Sequence, residues 1–272
     1  MFLCMHQTTS AGAGYVKSLE GYARAGFRFV ELIPQHYDEF IRKDGVPAAK
    51  RILSDLGLKA VSSGGVRGLA EPSPDRPKAL DELRRRAERL AELGIDRMVC
   101  PCNTTQKFTL DDYKRAVDNL REAGEIVKPL GVVAMLEFMR GSTFIGTLPT
   151  ALRVLRDANH PNVRLVFDFY HFWAGLSRLE DLELLKDFEL HHVHFQDTPN
   201  IPRELLDATT REVPGDGVAP LVRMLQVLER KGYSGPLSVE LFLPRMQQGD
   251  PYQAAMEIQK KSVPILRQAG VL

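Results

Sequence analysis

At 272 residues and 44% hydrophobic content the chain can bury a large core, a size that suits one α/β barrel or two small domains. Lys+Arg 36 against Asp+Glu 35 leave a net charge of +1, so the sum carries no electrostatic footprint for DNA or RNA, and no segment approaches the roughly 20 consecutive apolar residues of a membrane helix. Nucleic acid and membrane are therefore not expected partners, and the opening Met1-Phe2-Leu3-Cys4-Met5-His6, which has no basic leader, reads as mature cytoplasmic protein. The three cysteines, with Cys100 and Cys102 one residue apart in an apolar run, read as reduced core residues, neither a disulfide framework nor a zinc cluster.

Along the chain, short apolar runs alternate with segments of helical periodicity. The first strands are predicted over 2–6, 27–33 and 59–63. Leu80, Leu83, Ala87, Leu90 and Leu93 then form one helical stripe, and Arg84, Arg85 and Arg86 lie on its solvated face. A strand over 98–101 follows. Thr109 is placed to cap a helix running through Tyr113, Ala116, Val117, Leu120 and Val127, with Asp111 and Asp112 in its first turn. Gly131 reopens the chain for strands over 132–138 and 163–169; a stripe of Leu179, Leu182 and Leu185, a strand over 190–195, a stripe of Leu221, Leu225 and Leu228 and a strand over 237–242 complete the series. Eight evenly spread strands predict an α/β fold, a single (β/α)8 TIM barrel occupying 1–272 as one catalytic domain. An open doubly wound sheet fits less well, because Gly12-x-Gly14 does not continue into a phosphate-binding signature. The long loops over 64–77 and 199–217 follow strands and are expected over the catalytic mouth.

In such a barrel the C-terminal strand ends converge, so polar residues that close apolar runs carry the chemistry. Four runs close in this way, at Glu137, Asp168, His194 and Glu240. Three carboxylates buried together cost several kcal/mol each unless protonated or met by a cation, and a divalent ion answers all of them. Three oxygen donors and one imidazole suit Mn²⁺, Mg²⁺ or Co²⁺, and Zn²⁺ stays open. Plainer roles stand beside these: Glu137 paired with Arg140, Asp168 capping the next segment, His194 as a packed core histidine. Alternation puts His192 and His194 on one strand face and His191 on the other. Glu240 has few charged neighbours in sequence. His6 and Glu31, closing the first two strands, add polar contacts. Asp197 reads equally as an orienting carboxylate or a turn residue, and the 214–217 turn as a source of substrate-facing N–H groups or a simple helix entry. Phe138, Met139, Phe144, Phe172 and Trp173 are candidates for a pocket wall.

The segments Asp168-Phe-Tyr-His171, Val193-His194-Phe-Gln-Asp197, Arg211-Glu-Val-Pro-Gly-Asp-Gly217 and Gly232-Tyr-Ser-Gly-Pro-Leu-Ser-Val-Glu240, with Val30-Glu31-Leu32, resemble the xylose-isomerase-like TIM-barrel family of sugar phosphate isomerases and epimerases. The likeness runs over nearly the whole chain and is nearest to the hydroxypyruvate isomerase, ketose 3-epimerase and inosose dehydratase branches. It implies one divalent metal ion, commonly Mn²⁺, on Glu137, Asp168, His194 and Glu240, and substrate contacts from His171 and Arg211, with Arg203 competing for the latter role; His6 is added as a third substrate contact from its strand end.

Chelation of two neighbouring oxygens of a hydroxy-carbonyl compound at such an ion spreads the charge of an enediolate, while Glu137 and Glu240 serve as the acid/base pair. Proton return to the same carbon is epimerisation, return to the neighbouring carbon is isomerisation, and loss of a β-hydroxyl is dehydration. The expected activity is thus a metal-dependent isomerase or epimerase of a ketose, hydroxypyruvate-like or related substrate, with an inosose-type dehydratase as the alternative. A zinc endonuclease, a metal-independent glycosidase and a non-catalytic sugar-binding protein explain the residues less well. The partner is a small molecule, and a homodimer or homotetramer is left open.

Overall fold

The computed structural model describes residues 1–207 and 209–272. Eight parallel strands follow one another in sequence order around a closed barrel, with helices between them, as the alternation of runs predicts. By contact density the chain divides into two compact units, one of residues 1–62 and 193–272, the other of residues 63–192.

The first unit contains β1 (Phe2–His6), β2 (Phe29–Leu32) and β8 (Pro236–Val239), joined by α1 (Gly14–Arg24) and α2 (Pro34–Asp55) and closed by α7 (Leu221–Arg230), α8 (Pro244–Gln247) and α9 (Pro251–Ala269). β1 pairs with β8 from Phe2↔Pro236 to Met5↔Val239 and with β2 through His6↔Glu31. This register sets two strand-end side chains side by side. β8 stops at Val239, three residues before the predicted end, so Glu240 stands just past the ladder. β2 is likewise shorter than predicted, because Gly26 turns the chain at φ 88° after α1. α9 begins at Asp250, whose Oδ1 accepts the Tyr252 N–H at 2.8 Å, and ends at Gly270 in the left-handed region. Gly21 of α1 permits its approach, since a Cβ there would lie 2.7 Å from Pro251 Cβ.

The second unit holds α3 (Arg76–Leu93), β4 (Arg97–Cys102), α4 (Leu110–Val127), β5 (Val133–Phe138), α5 (Leu148–Ala158), β6 (Val163–Asp168) and α6 (Phe169–Ala174). β3 (Lys59–Gly64) enters it and β7 (Leu190–His194) leaves it. β4, β5 and β6 form a continuous ladder in which Glu137 lies opposite both Pro101 and Val166. Leu83, Ala87 and Leu90 are fully buried along α3, whereas Arg84 and Arg85 are exposed and paired with Asp81 and Glu82. At the start of α4 Thr109 is the N-cap, as predicted, in a capping box with Asp112, whose carboxylate accepts the Thr109 N–H at 2.6 Å and its hydroxyl at 2.8 Å. The stripe Leu179, Leu182, Leu185 is a 3₁₀ segment, Leu179–Leu184, and not an α-helix. Its strict spacing of three is the repeat at which 3₁₀ side chains eclipse. The 64–77 loop is tied to α4: Arg76 donates to the Leu69 and Asn119 carbonyls, and Asn119 donates to Ala70.

The cysteines Cys4, Cys100 and Cys102 are buried and unbridged, and burial pushes the Cys100 thiol up to about 12. Among the described residues no helix is long and apolar enough to cross a membrane.

On the outer face of the first unit, Glu257 of α9 takes both guanidinium nitrogens of Arg245, at 2.7 and 3.0 Å, and Lys261 at 2.7 Å. These cations hold the Glu257 carboxyl down to about 2, against an ordinary 4.5. A depressed carboxylate contributes stability that is complete above its unfolded value and is lost as the pH falls through the folded one. Glu257→Gln should therefore lower the unfolding free energy by about 0.5–1 kcal/mol at neutral pH. In urea titrations over a pH series, that difference should shrink below about 4.5 and vanish near about 2.

Candidate metal centre

Within the first unit, four titratable side chains meet where β1, β2, β7 and β8 end. Their burial follows from their positions on or just after ladder strands: Glu31 is 0% exposed, His194 2% and His6 5%. His6 caps the 3₁₀ turn after β1, its Nδ1 accepting the Thr8 N–H at 3.0 Å. That bond claims the Nδ1 lone pair and places the ring proton on Nε2. Nε2 lies 3.5 Å from Glu31 Oε1 and 3.7 Å from Glu240 Oε1. His194 presents Nε2 to Glu31 at 3.3 Å and Nδ1 to Glu240 Oε2 at 3.5 Å. The Ser62 hydroxyl reaches Glu31 Oε1 at 3.4 Å. His6, Glu31 and His194 each offer one ligand atom within 4.8 Å of the others.

Glu240 owes its placement to Thr9, whose hydroxyl donates to the Val239 carbonyl at 2.8 Å and accepts the Leu241 N–H at 3.0 Å. The backbone is thus pinned on both sides of the glutamate. Contrary to its sparse surroundings in sequence, Glu240 is ion-paired: Arg211 Nη1 lies 2.5 Å from Oε2 and also reaches the Glu240 carbonyl at 3.3 Å. Arg211 is 3% exposed, with its guanidinium carbon 5.0 Å from the centre of the Phe242 ring. Of the two competing arginines it is the one at Glu240; Arg203 is exposed on the loop.

Asp197 organises that loop. It forms an antiparallel bridge with Glu212, and its carboxylate accepts the N–H groups of Thr198 and Ala219 on Oδ1 and of Gly215 and Gly217 on Oδ2, all between 2.8 and 3.1 Å. Burial pushes its carboxyl above the ordinary range in spite of those four donors. The 214–217 turn therefore directs the Gly215 and Gly217 N–H groups to Asp197, which resolves the two readings of the turn in favour of structure. A Cβ at Gly217 would collide with Asp197 Oδ1 and the Thr198 carbonyl, so only glycine fits. The 199–217 loop includes residue 208, which lies outside the described residues.

In the second unit Glu137 and Asp168 close β5 and β6, 5% and 0% exposed. Asp168 does act as a cap: its Oδ1 accepts the His171 N–H at 2.7 Å, so β6 stops one residue before the predicted strand end and α6 starts at Phe169. That cap ties the backbone of His171, itself fully buried, to Asp168. Arg140 donates its Nε to the Ala174 carbonyl at 3.1 Å. His191 is half-buried, and burial with nearby Arg97 lowers it to about 4, while His192 is fully buried. The proposed aromatic wall is largely core. Phe138 and Phe172 pack on Phe167 with ring centres 6.1 and 5.0 Å away, and Phe144 stacks between Phe108 and Tyr113 at 4.4 and 4.3 Å. Sequence reasoning did not anticipate Glu71, buried against Cys102 at 3.6 Å, nor Ser62 against Glu31; no local signal marks either, because the first depends on the path of the 64–77 loop and the second on how β2 and β3 are placed.

The family model of the xylose isomerase-like TIM barrel matches residues 19–262, and the chain belongs to that family. Its relatives with names are isomerases and dehydratases, and the chain is an enzyme of this kind. It is 30% identical to an inosose isomerase of Halalkalibacterium halodurans over 254 residues, 91% of this chain and 90% of the relative. To a 3-dehydroshikimate dehydratase of Pseudomonas putida it is 28% identical, over 86% of this chain and 37% of the other. Among solved structures, that of the IOLI protein with a binding zinc atom superposes with a TM-score of 0.92 at 24% identity, covering 99% of both chains. A D-psicose 3-epimerase follows with a TM-score of 0.79 at 17% identity, covering 100% of both. At these identities the two structures speak for the fold.

Replacing Asp197 by Ala strips four loop N–H groups of their acceptor, and the unsatisfied donors should cost about 3 kcal/mol of stability in a denaturant titration. Gly217→Ala should cost a comparable amount through the collision. A loss under about 0.5 kcal/mol for both would mean that the loop is held by other contacts.

Proposed function

We propose that the chain is a divalent-metal-dependent isomerase that moves a carbonyl between neighbouring carbons of a polyhydroxy ketone, a cyclic inosose being the favoured substrate. The observation that carries this reading is the pinned Glu240, partly buried and held by the buried Arg211 and His194 at the β7 and β8 ends. The relative at 30% identity and 90% coverage supports an isomerase, whereas the 3-dehydroshikimate dehydratase of Pseudomonas putida matches over 37% of its length and the inosose dehydratase of Geobacillus kaustophilus over 48%. An epimerase or an inosose-type dehydratase is the second reading, favoured by the family's shared donor set.

In this reading Glu137, Asp168, His194 and Glu240 hold one divalent ion, and the chain works as one catalytic domain, 1–272. Donor chemistry fits: two buried carboxylates, a third that is partly buried and an imidazole form an oxygen-rich set whose charge demands a cation. When bound, the ion supplies Lewis-acid polarisation of two adjacent substrate oxygens. Mn²⁺ is the favoured ion, with Mg²⁺, Co²⁺ and Zn²⁺ as competitors; the zinc in the IOLI structure is a point for the last.

The side chains then divide the work. One of Glu137 and Glu240 removes the proton from the hydroxyl-bearing carbon, the other delivers a proton to the former carbonyl carbon, and the hydroxyl proton passes to the former carbonyl oxygen. Arg211 compensates the charge of Glu240 and contacts a substrate oxygen, as do His171 and His6. The partner is this small molecule, with no nucleic acid or membrane, in the cytoplasm.

Metal analysis of the purified chain, followed by chelation, tests the reading. Turnover of inososes and ketoses should disappear with the metal and return with Mn²⁺. Glu137→Gln and Glu240→Gln should each lower kcat by a factor of about 10²–10⁴. Undiminished turnover after complete chelation would remove the metal from the mechanism, and release of water with formation of a dehydrated product would favour the second reading.

A further inference from the structure

We propose that Glu31 is a positioning residue of the metal centre, taking the Nε2–H of His194 so that Nδ1 presents its lone pair to the ion, with His6 as a second donor locked onto the same carboxylate. The inference rests on the reading of His194 and Glu240 as ligands of one ion.

A neutral imidazole has one N–H and one lone pair. His194 turns each ring nitrogen toward a different carboxylate, Nδ1 to Glu240 at 3.5 Å and Nε2 to Glu31 at 3.3 Å from either oxygen. Sharing an ion with Glu240 requires the lone pair on Nδ1. The proton then sits on Nε2, where Glu31 accepts it. Such a carboxylate behind a ligating histidine fixes the tautomer, holds the ring plane and raises the basicity of the ligating nitrogen.

The surroundings of Glu31 are built for this task. Its carboxylate is 0% exposed, so its charge needs donors. Its neighbours include the His194 Nε2 and the Ser62 hydroxyl, at 3.3 and 3.4 Å, and His6 Nε2 lies 3.5 Å away. The His6 tautomer is set independently by the Thr8 N–H at Nδ1. The two imidazoles stand edge to face, with ring centres 5.5 Å apart at 89°. Strand pairing His6↔Glu31 holds the acceptor and one donor in fixed register.

The test measures metal binding directly. Mn²⁺ titrated into metal-free protein, with free ion read by electron paramagnetic resonance, should give one site per chain. Glu31→Gln should weaken it roughly 10–100-fold, with Glu31→Asp recovering part of the loss. In the ¹⁵N–¹H spectrum of the Zn²⁺-loaded, histidine-labelled chain, His194 should show a protonated Nε2 and a metal-shifted Nδ1, and the Nε2–H signal should move in Glu31→Gln. Thermal unfolding of the metal-free variants separates a folding defect from a binding one, and Glu31→Asp carries the test should Glu31→Gln not fold. An affinity within twofold of wild type with an unmoved Nε2–H signal overturns the proposal. So do two Zn²⁺ per wild-type chain with one lost in Glu31→Gln, since Glu31 would then be a ligand. Wild-type affinity in Asp168→Asn and Glu240→Gln would instead overturn the metal reading itself, and this inference with it.

Discussion

Everything at the first unit's strand ends depends on one requirement: an ionised carboxylate taken wholly or largely out of water must be answered by donors or cations close to it. Glu31 is answered by two imidazoles and a hydroxyl, and Glu240 by Arg211 and the two histidines. Each answer constrains a further group. His6 can serve Glu31 only because Thr8 occupies its other nitrogen, and Arg211 can serve Glu240 only because its loop is folded onto Asp197. The polar cluster is thus a chain of dependent orientations, and its members are fixed before any substrate arrives.

Much of this was legible in the sequence, for a physical reason. A parallel barrel strand is buried on both faces, so it appears as an apolar run, and the first polar residue at its end stands out. Glu137, Asp168, His6 and Glu31 are visible in that way, whereas His194, preceded by His191 and His192, is singled out by strand alternation and the family resemblance. Glu240 was visible too, but its partner was not, because Arg211 lies 29 positions away on a loop whose path follows from Asp197. Boundaries failed where a side chain overrode the apolar pattern. Phe169 looks like strand, yet the Asp168 cap turns it into helix. The leucines at 179, 182 and 185 suggest an α-helix, although spacing by three without a fourth-residue companion is the tighter repeat.

Asp168 shows how one residue answers two readings that seemed to compete. A carboxylate has two oxygens and about four lone pairs, so capping α6 with Oδ1 does not exhaust it. The cap also ties the backbone of His171 to the strand end, which makes the Asp168-Phe-Tyr-His171 spacing a geometric requirement. Phe169 and Tyr170, between them, are fully buried and serve as packing that fixes the turn. Likewise, the aromatic side chains first read as a pocket wall pack on Phe167, stiffening the β5 and β6 ends behind the carboxylates.

Isomerisation and dehydration begin with the same proton removal, so the groups that perform this step carry no information about which follows. The difference arises afterwards: isomerisation needs a proton delivered to carbon, dehydration a proton delivered to a departing hydroxyl. A carboxylate clamped at both backbone neighbours and held by an arginine delivers to one place. Glu240 is such a group, with Thr9 bonded on either side and Arg211 on Oε2. A donor for a leaving hydroxyl has to follow an oxygen as its bond lengthens, a task for a less constrained group. The rigidity of Glu240 therefore weighs toward proton return to carbon, the step that isomerisation and epimerisation share and dehydration lacks.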